Sequence, residues 1–238
     1  MRALVVHAHP EPTSFNAALR DVAVSTLRAQ GYGVHLSDLY AMRFKATVDR
    51  DDFRTTFDPA KLNVTREQRH ALANGGLADD IRAELDALLA ADLVVFQFPL
   101  WWFSMPAILK GWFDRVFVSG AVYGRQYLFE RGKLRGKRAL LSITTGGPEA
   151  AFGPSSLNGD ILDILMPIHR GTLGLTGMTV LPPFVAYFVP YLGAERREEI
   201  LERYASYLGS LDRLEPLAMP CAMDHLPVLA ELLRADAR

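Results

Sequence analysis

The 238-residue chain carries a single cysteine, Cys221, so it can form no internal disulfide, and a reducing compartment suits it. Neither sign of charge is in excess. The 26 Lys and Arg face 27 Asp and Glu, for a formal net charge of -1. A chain so balanced presents no broad cationic field to nucleic acid or to an anionic membrane, and neither is expected as a partner. No uncharged apolar run approaches the ~20 residues that a membrane span requires. The opening apolar run, Ala3 to Val6, is too short for a signal peptide and gives way at once to His7 and His9. No integral membrane segment and a cytoplasmic location are therefore expected. The chain also lacks a Walker A motif and a Gly-x-Gly-x-x-Gly fingerprint, which argues against a P-loop nucleotidase and a dinucleotide-binding Rossmann domain. His35, His70, His169 and His225 are scattered without metal-ligand spacing, and Cys221 has no recognisable catalytic partner; no metal is expected.

What is present reads as one well-packed domain. Half of the residues are hydrophobic and 22% are charged, a globular composition at a length suited to a single core. Strand and helix patterns alternate. Short apolar runs at 3–6, 34–39, 93–98, 138–145 and from 178 read as strands covered on both faces. Helical spacing occupies 16–28, 79–91, 106–117, 160–173 and 194–211, with Pro106 opening the third of these and Pro167 predicting a kink in the fourth. Residues 40–78 are polar and interrupted by Pro59, Gly75 and Gly76, and read as a long, loosely structured excursion. The expectation is an α/β fold of five parallel strands with helices on both faces, spanning residues 1–213. Residues 214–238, with Pro216, Pro220 and Pro227, read as an extension that ends in a short helix and packs on the same domain or on a dimer partner.

In such sheets ligands bind beyond the carboxyl ends of the strands, so the loops after the first, third and fourth strands are the ones to inspect. The first runs from His9 through Thr13, Ser14, Phe15 and Asn16 into a helix N-terminus, where short polar side chains and free N–H groups suit a phosphate, or where Thr13 or Ser14 serves only as a helix cap. The second, Pro99-Leu100-Trp101-Trp102-Phe103-Ser104-Met105-Pro106, sets three aromatic rings between prolines, suited to a flat ring system or to an interface. The third, Thr144-Thr145-Gly146-Gly147, supplies hydroxyls and close backbone approach. Convergence of all three carries more weight than any one. Asp79 and Asp80 are read as helix-capping groups rather than an acid–base dyad.

At these residues a family resemblance becomes specific. His9 with Thr13-Ser14-Phe15-Asn16, then Ser37 to Met42, then Phe96 to Phe103 continuing through Pro106 to Phe117, then Ser142 to Gly147, occur in the same order as in the NAD(P)H quinone dehydrogenases of the DT-diaphorase type, which this chain resembles over roughly residues 2 to 210. The resemblance implies a flavodoxin-like sheet of order 2-1-3-4-5, an FAD cofactor, a homodimer with the active site between subunits, and a ping-pong cycle in which NAD(P)H gives a hydride to flavin N5 before a quinone or similar flat acceptor takes two electrons. By the same resemblance His9, Phe15 and Asn16, with Thr13 and Ser14, hold the pyrophosphate. Asn63 lies near the nucleotide end, where the family has Gln. Pro99, Leu100, Trp101, Trp102 and Phe103 line the isoalloxazine, with Trp101 in place of a frequent Gln. Thr144, Thr145, Gly146 and Gly147 meet its pyrimidine edge, and Arg197 approaches the phosphates. Val122, Tyr123 and Gly124 match the substrate-side segment.

Two departures stand out. Where the mammalian enzymes carry a Tyr and a His that steady charge on the reduced flavin, this chain has Phe152 and Asn158. Phe152 has no hydroxyl, and Asn158 donates but does not titrate near neutrality. Charge at flavin N1/O2 then falls to the backbone N–H groups of Gly146 and Gly147. Two other functions compete: an FMN-dependent azo or nitroaromatic reductase of the same superfamily, and an ancillary subunit regulating a potassium-efflux transporter.

Overall fold

The computed structural model describes residues 1–225 together with 227, 230 and 231. Its centre is a parallel sheet of β1 (Arg2–His7), β2 (Gly33–Asp38), β3 (Leu93–Pro99), β4 (Arg138–Thr144), β5 (Thr179–Val180) and β6 (Phe184–Ala186). The order is β2-β1-β3-β4-β5, and β6 also pairs with β4. The fifth position is thus filled by two short segments. Arg138 pairs with Thr179, whereas Ser142 pairs with Phe184, so one extra residue enters between them, at Pro182-Pro183. Proline has no N–H to give the ladder, and the strand breaks there. The expected doubly wound sheet is present, with its carboxyl edge where β1, β3 and β4 end side by side.

Among the described residues six α-helices cover the sheet: α1 (Phe15–Ala29), α2 (Val64–Asn74), α3 (Asp79–Ala90), α4 (Ala107–Val116), α5 (Ile161–Ile168) and α6 (Ala194–Leu208). The alternation along each strand decides which face each side chain joins. On one face Ala3, Val5, Leu93, Val95 and Leu140 meet Leu19, Ala23 and Leu27 of α1 and Ile200, Tyr204 and Leu208 of α6. On the other, Leu4, Val6, Val94, Phe96 and Leu141 meet Ile81, Leu85 and Leu88 of α3 and Leu109, Trp112 and Phe113 of α4. After Pro167 the α5 helix continues as a π turn, His169–Gly174, as a residue without an N–H disturbs the α ladder.

The stretch 40–78 differs from its sequence reading. It contains α2, capped at its start by Asn63, whose Oδ1 accepts from Arg66 N at 3.1 Å, and closed at Gly75 in the left-handed region. Polar contacts hold it. Glu67, buried, accepts from the N–H groups of Phe57 and Asp58 at 2.6 and 3.0 Å, and Gln68 accepts from Ser119 N at 3.0 Å. Arg115 of α4, also buried, donates to Asp52 at 3.0 Å, to Asp80 at 2.6 Å and to the Lys45 carbonyl at 3.0 Å, tying the excursion to the core. At the other end of the chain, Leu217 N donates to Val180 O at 2.8 Å, and Glu130 accepts from the N–H groups of Ala222 and Met223, so this part of the extension lies on the same domain. The short helix expected at the very end lies mostly outside the described residues. No helix among the described residues is long and apolar enough to cross a membrane.

Candidate active site at the carboxyl edge of the sheet

The three loops singled out from sequence meet in one cleft of about 350 Å³. It is lined by His9, Thr13, Ser14, Phe15 and Asn16 from the first loop; Pro99, Leu100 and Trp101 from the second; Thr144, Thr145 and Gly146 from the third; and Arg197 from α6. Val189 and Pro190 complete the rim. Sequence reading missed these two. The signal was available: they follow the carboxyl end of the last strand by three and four residues, the same location rule that selected the other loops.

Each wall has a local cause. Ser14 caps α1, accepting from Ala17 N at 3.1 Å, so the dipole and open N–H groups of a 15-residue helix face the cleft. Thr13 turns both its N–H and its hydroxyl onto one carboxylate oxygen of Glu11, at 2.9 and 2.6 Å, and these bonds hold the Glu11 carboxyl below its ordinary range. The loop therefore already converges donors on an anion. His9 packs against Trp101 with ring centroids 6.1 Å apart. Trp101 and Ser104 exchange two backbone hydrogen bonds of 3.0 Å across a turn whose central residues, Trp102 and Phe103, stand at φ +50° and +58°. Bulky residues adopt this left-handed conformation at a cost of about 1–3 kcal/mol each. The turn holds them outward: Trp102 is 96% exposed and Phe103 51%. Neither lines the cleft, in contrast to the sequence expectation.

Beneath the cleft lies a buried polar row. In register across β1, β3 and β4 stand His7, Gln97 and Ser142, all fully buried, flanked by the half-buried Asp38 of β2 and by Phe184 of β6. Gln97 Nε2 donates to Asn16 Oδ1 at 3.0 Å, and Asn16 Nδ2 donates to Thr144 Oγ1 at 2.9 Å. Thr144 accepts this bond, so its own O–H remains to be donated toward the cleft. His7 is fully buried with neither ring nitrogen bonded to protein, and burial lowers its pKa to about 4, against the partial opposition of Asp38. Arg20 engages Asp38 at 2.8 Å at the margin of this row.

The glycine pair behaves in two ways. Gly147 N donates to Thr145 Oγ1 at 2.9 Å, a local turn that consumes the N–H expected to serve a ligand. Only Gly146 keeps its N–H without a partner among the described residues. Gly147 instead provides space: a Cβ there would lie 2.8 Å from Phe152 Cε2 and 3.6 Å from Asn158 Nδ2. The structure thus brings Phe152, Asn158 and Gly147 together. It adds Tyr187, whose ring packs at a tilt of 41° against Phe152, with a centroid distance of 5.6 Å. On α6, Arg197 donates to Val189 O at 3.2 Å and sits 6.0 Å from the Phe15 ring centroid, while its buried Nε has no protein partner.

Other expected site residues lie elsewhere. Asn63 is exposed, caps α2 and is absent from the cleft lining, so its place at the nucleotide end is not supported by this geometry. Val122 is fully buried in the core and presents no side chain to a ligand. Tyr123 and Gly124 line a different cavity, beside α2. No group of three or more His, Cys, Asp or Glu among the described residues could hold a metal ion.

The donors fit a flavin phosphate and ring edge: a helix N-terminus, the unpaired Arg197 Nε, an available Thr144 hydroxyl and a bare Gly146 N–H, beside exposed aromatic rings, whereas both donors of Thr13 are spent on Glu11. Comparison with known proteins agrees. Residues 1–211 match the family described as having a flavodoxin-like fold. NAD(P)H dehydrogenase (quinone) 1 of Cavia porcellus is 41% identical over 217 residues, covering 91% of this chain and 79% of that one. Human ribosyldihydronicotinamide dehydrogenase (quinone) is 40% identical over 221 residues, covering 92% and 95%. A crystal structure of a Klebsiella pneumoniae protein, described as a candidate quinone reductase, superposes with a TM-score of 0.87 at 43% identity, covering 91% of this chain and 86% of that one. On the shared sheet order and this likeness along nine-tenths of its length, the chain belongs to the NAD(P)H dehydrogenase (quinone) family of flavodoxin-like proteins.

Proposed function

We propose that this protein reduces quinones, or flat aromatic acceptors like them, with NAD(P)H through a bound FAD, as a homodimer whose two active sites are shared between subunits. The observation that carries this reading is the single cleft formed where β1, β3 and β4 end, in a chain about 40% identical to quinone-reducing dehydrogenases.

When bound, the flavin supplies two-electron transfer between a nicotinamide and an acceptor that occupy the same face in turn. The protein's part is positioning and electrostatics. Ser14 and the N-terminus of α1, with Arg197 opposite, hold the anionic phosphates, while Thr13 braces the loop through Glu11. Asn16, oriented by Gln97, aims the Thr144 hydroxyl at the ligand. Thr145 and Gly146 hold the polar edge of the ring, and the Gly146 N–H is the donor nearest in kind to an oxyanion contact. Pro99, Leu100 and Trp101 form the apolar wall. Phe152 and Asn158 bound the site beyond Gly147, where Asn158 donates a hydrogen bond at any pH near neutrality but passes no proton. Trp102 and Phe103, strained and exposed, are matched to burial against a second copy that also supplies its Tyr123 and Gly124.

Purified holoprotein mixed with NAD(P)H and a quinone is expected to oxidise the nicotinamide well above the rate with oxygen alone; no quinone-dependent rate would sink the reading. The mass of the flavin released on denaturation tells FAD from FMN.

A further inference from the structure

The hydrogen bonds that orient Thr144 begin at an acceptor with nothing to accept. Gln97 gives its Nε2 to Asn16, and Asn16 gives its Nδ2 to Thr144, so each amide donates toward the cleft. Gln97 Oε1 is left at the other end, buried and without a partner among the described residues. The sense of the chain depends on what faces that end. If both amides turned over, Gln97 Oε1 would accept from Asn16, Asn16 Oδ1 would accept the Thr144 O–H, and no hydroxyl proton would remain for a ligand. A donor behind Gln97 excludes that arrangement, and an acceptor there favours it.

Two side chains stand in register beside Gln97, His7 on β1 and Ser142 on β4. Strand alternation puts all three on the face covered by α1 and α6, with Val5, Val95 and Leu140. Adjacent strands lie ~4.8 Å apart, so their side chains are neighbours. The Ser142 hydroxyl is unpaired, but so is that of Tyr204 on α6, and Ser142 lies close enough to oppose the upward shift that burial imposes on Tyr204. These two hydroxyls suit each other. His7 has a partner for neither ring nitrogen among the described residues. The charged and titratable groups around it are Asp38 on β2, Arg20 and Asp21 on α1, and His9 in the following loop. Asp38 is already engaged, by Arg20 and by the Ala41 N–H. Burial lowers the His7 pKa to about 4, so at neutral pH the ring carries one N–H and one lone pair. An imidazole N–H in need of an acceptor stands beside an amide oxygen in need of a donor.

We infer that His7 is a positioning residue of this site: with flavin bound its ring N–H turns onto Gln97 Oε1, and so holds the Gln97–Asn16–Thr144 chain in the sense that offers the Thr144 O–H to the ligand. The inference rests on the flavin-enzyme reading and deepens it. A donor at the ring edge counts most where reduction adds negative charge, so His7, without touching the ligand, favours the reduced form over the oxidised one. Where Phe152 has no hydroxyl to offer, the chain offers that of Thr144.

The test compares His7→Leu, His7→Gln and Ser142→Ala with the parent, each loaded with FAD, by redox titration of the flavin absorbance at neutral pH. His7→Leu is expected to weaken the hold on reduced FAD roughly tenfold more than the hold on oxidised FAD, which lowers the midpoint potential by about 30 mV for a two-electron couple. His7→Gln, whose amide can donate, is expected to restore most of the loss. Ser142→Ala is expected to leave the potential where it is. A potential equal in the parent and His7→Leu, or a loss caused by Ser142→Ala in its place, overturns the inference and leaves quinone reduction standing. Should the variants fold poorly, the ring nitrogen NMR resonances of His7 serve in the parent: adding FAD should move one of them as its N–H gains an acceptor, and resonances that stay in place overturn the inference. A chain that takes up no flavin overturns the enzyme reading itself.

Discussion

Gln97 and Asn16, 81 residues apart in sequence, are joined by a buried hydrogen bond of 3.0 Å that orients the Asn16 amide toward Thr144. Removing the Gln97 amide leaves Asn16 Oδ1 buried and unpaired, which costs about 1–3 kcal/mol, and lets the Asn16 amide turn. Gln97→Leu is therefore expected to weaken flavin binding roughly tenfold while the fold persists. A flavin titration by fluorescence quenching, alongside circular dichroism, checks it. Unchanged affinity would remove Gln97 from any positioning role.

Arg197 already has a buried Nε with no partner in the protein. Replacing it by methionine keeps much of the bulk and removes the charge. Flavin affinity should fall by roughly tenfold or more, the value of a charge-assisted contact to phosphate. The melting temperature of the flavin-free protein should hold or rise, because an unsatisfied buried donor is gone. A large loss of stability without flavin would mean that Arg197 is structural.

Gly147 leaves room for Phe152. In Gly147→Ala the new Cβ would meet Phe152 Cε2 at 2.8 Å, and the ring, only partly buried, must swing away. Turnover with quinone should drop more than fivefold, with a change in thermal midpoint of only about 1–2 kcal/mol equivalent. Phe152→Ala in the same background should relieve the clash and narrow the difference between Gly and Ala at 147. Two independent losses would show that the two positions do not interact through contact.

Acid should destabilise the protein through two buried histidines. Burial lowers the pKa of both His7 and His169 to about 4, while an unfolded histidine titrates near 6.5. Between those values the unfolded chain binds protons that the folded chain refuses, so stability is full above about pH 6.5 and falls as pH drops toward about 4. Two groups at about 1.36 kcal/mol per unit give a slope approaching about 2.7 kcal/mol per pH unit in that window. Urea unfolding at a series of pH values measures it. His169→Gln should halve the slope, and a flat profile from pH 6.5 to 4.5 would show that neither group is protected from protons.

Sequence pattern carried the reading far where burial drives structure. The runs at 3–6 and 93–98 are strands because both faces are covered, and their ends point to loops whose residues do line one cleft. It carried less far where polar contacts do the holding. Only Glu67, Gln68 and Ala71 of α2 are buried, so no apolar stripe announces the helix; its anchors are hydrogen bonds to Phe57, Asp58 and Ser119 that no local pattern encodes. The same limit hid the use of the Gly147 N–H, taken by Thr145, and the approach of Tyr187 to Phe152, which depends on where β6 resumes after Pro182-Pro183. The outward turn of Trp102 and Phe103 is a matter of φ, and two aromatic side chains give no hint of a left-handed backbone.

The way α2 is held has an evolutionary reading. A helix anchored mainly by a few inward hydrogen bonds leaves Thr65 and Arg69 on its outer turns with little to do for folding. Those positions can drift while the core and the strand-end cleft stay intact. The groove that they line would then diverge between lineages long before the chemistry at the ring itself.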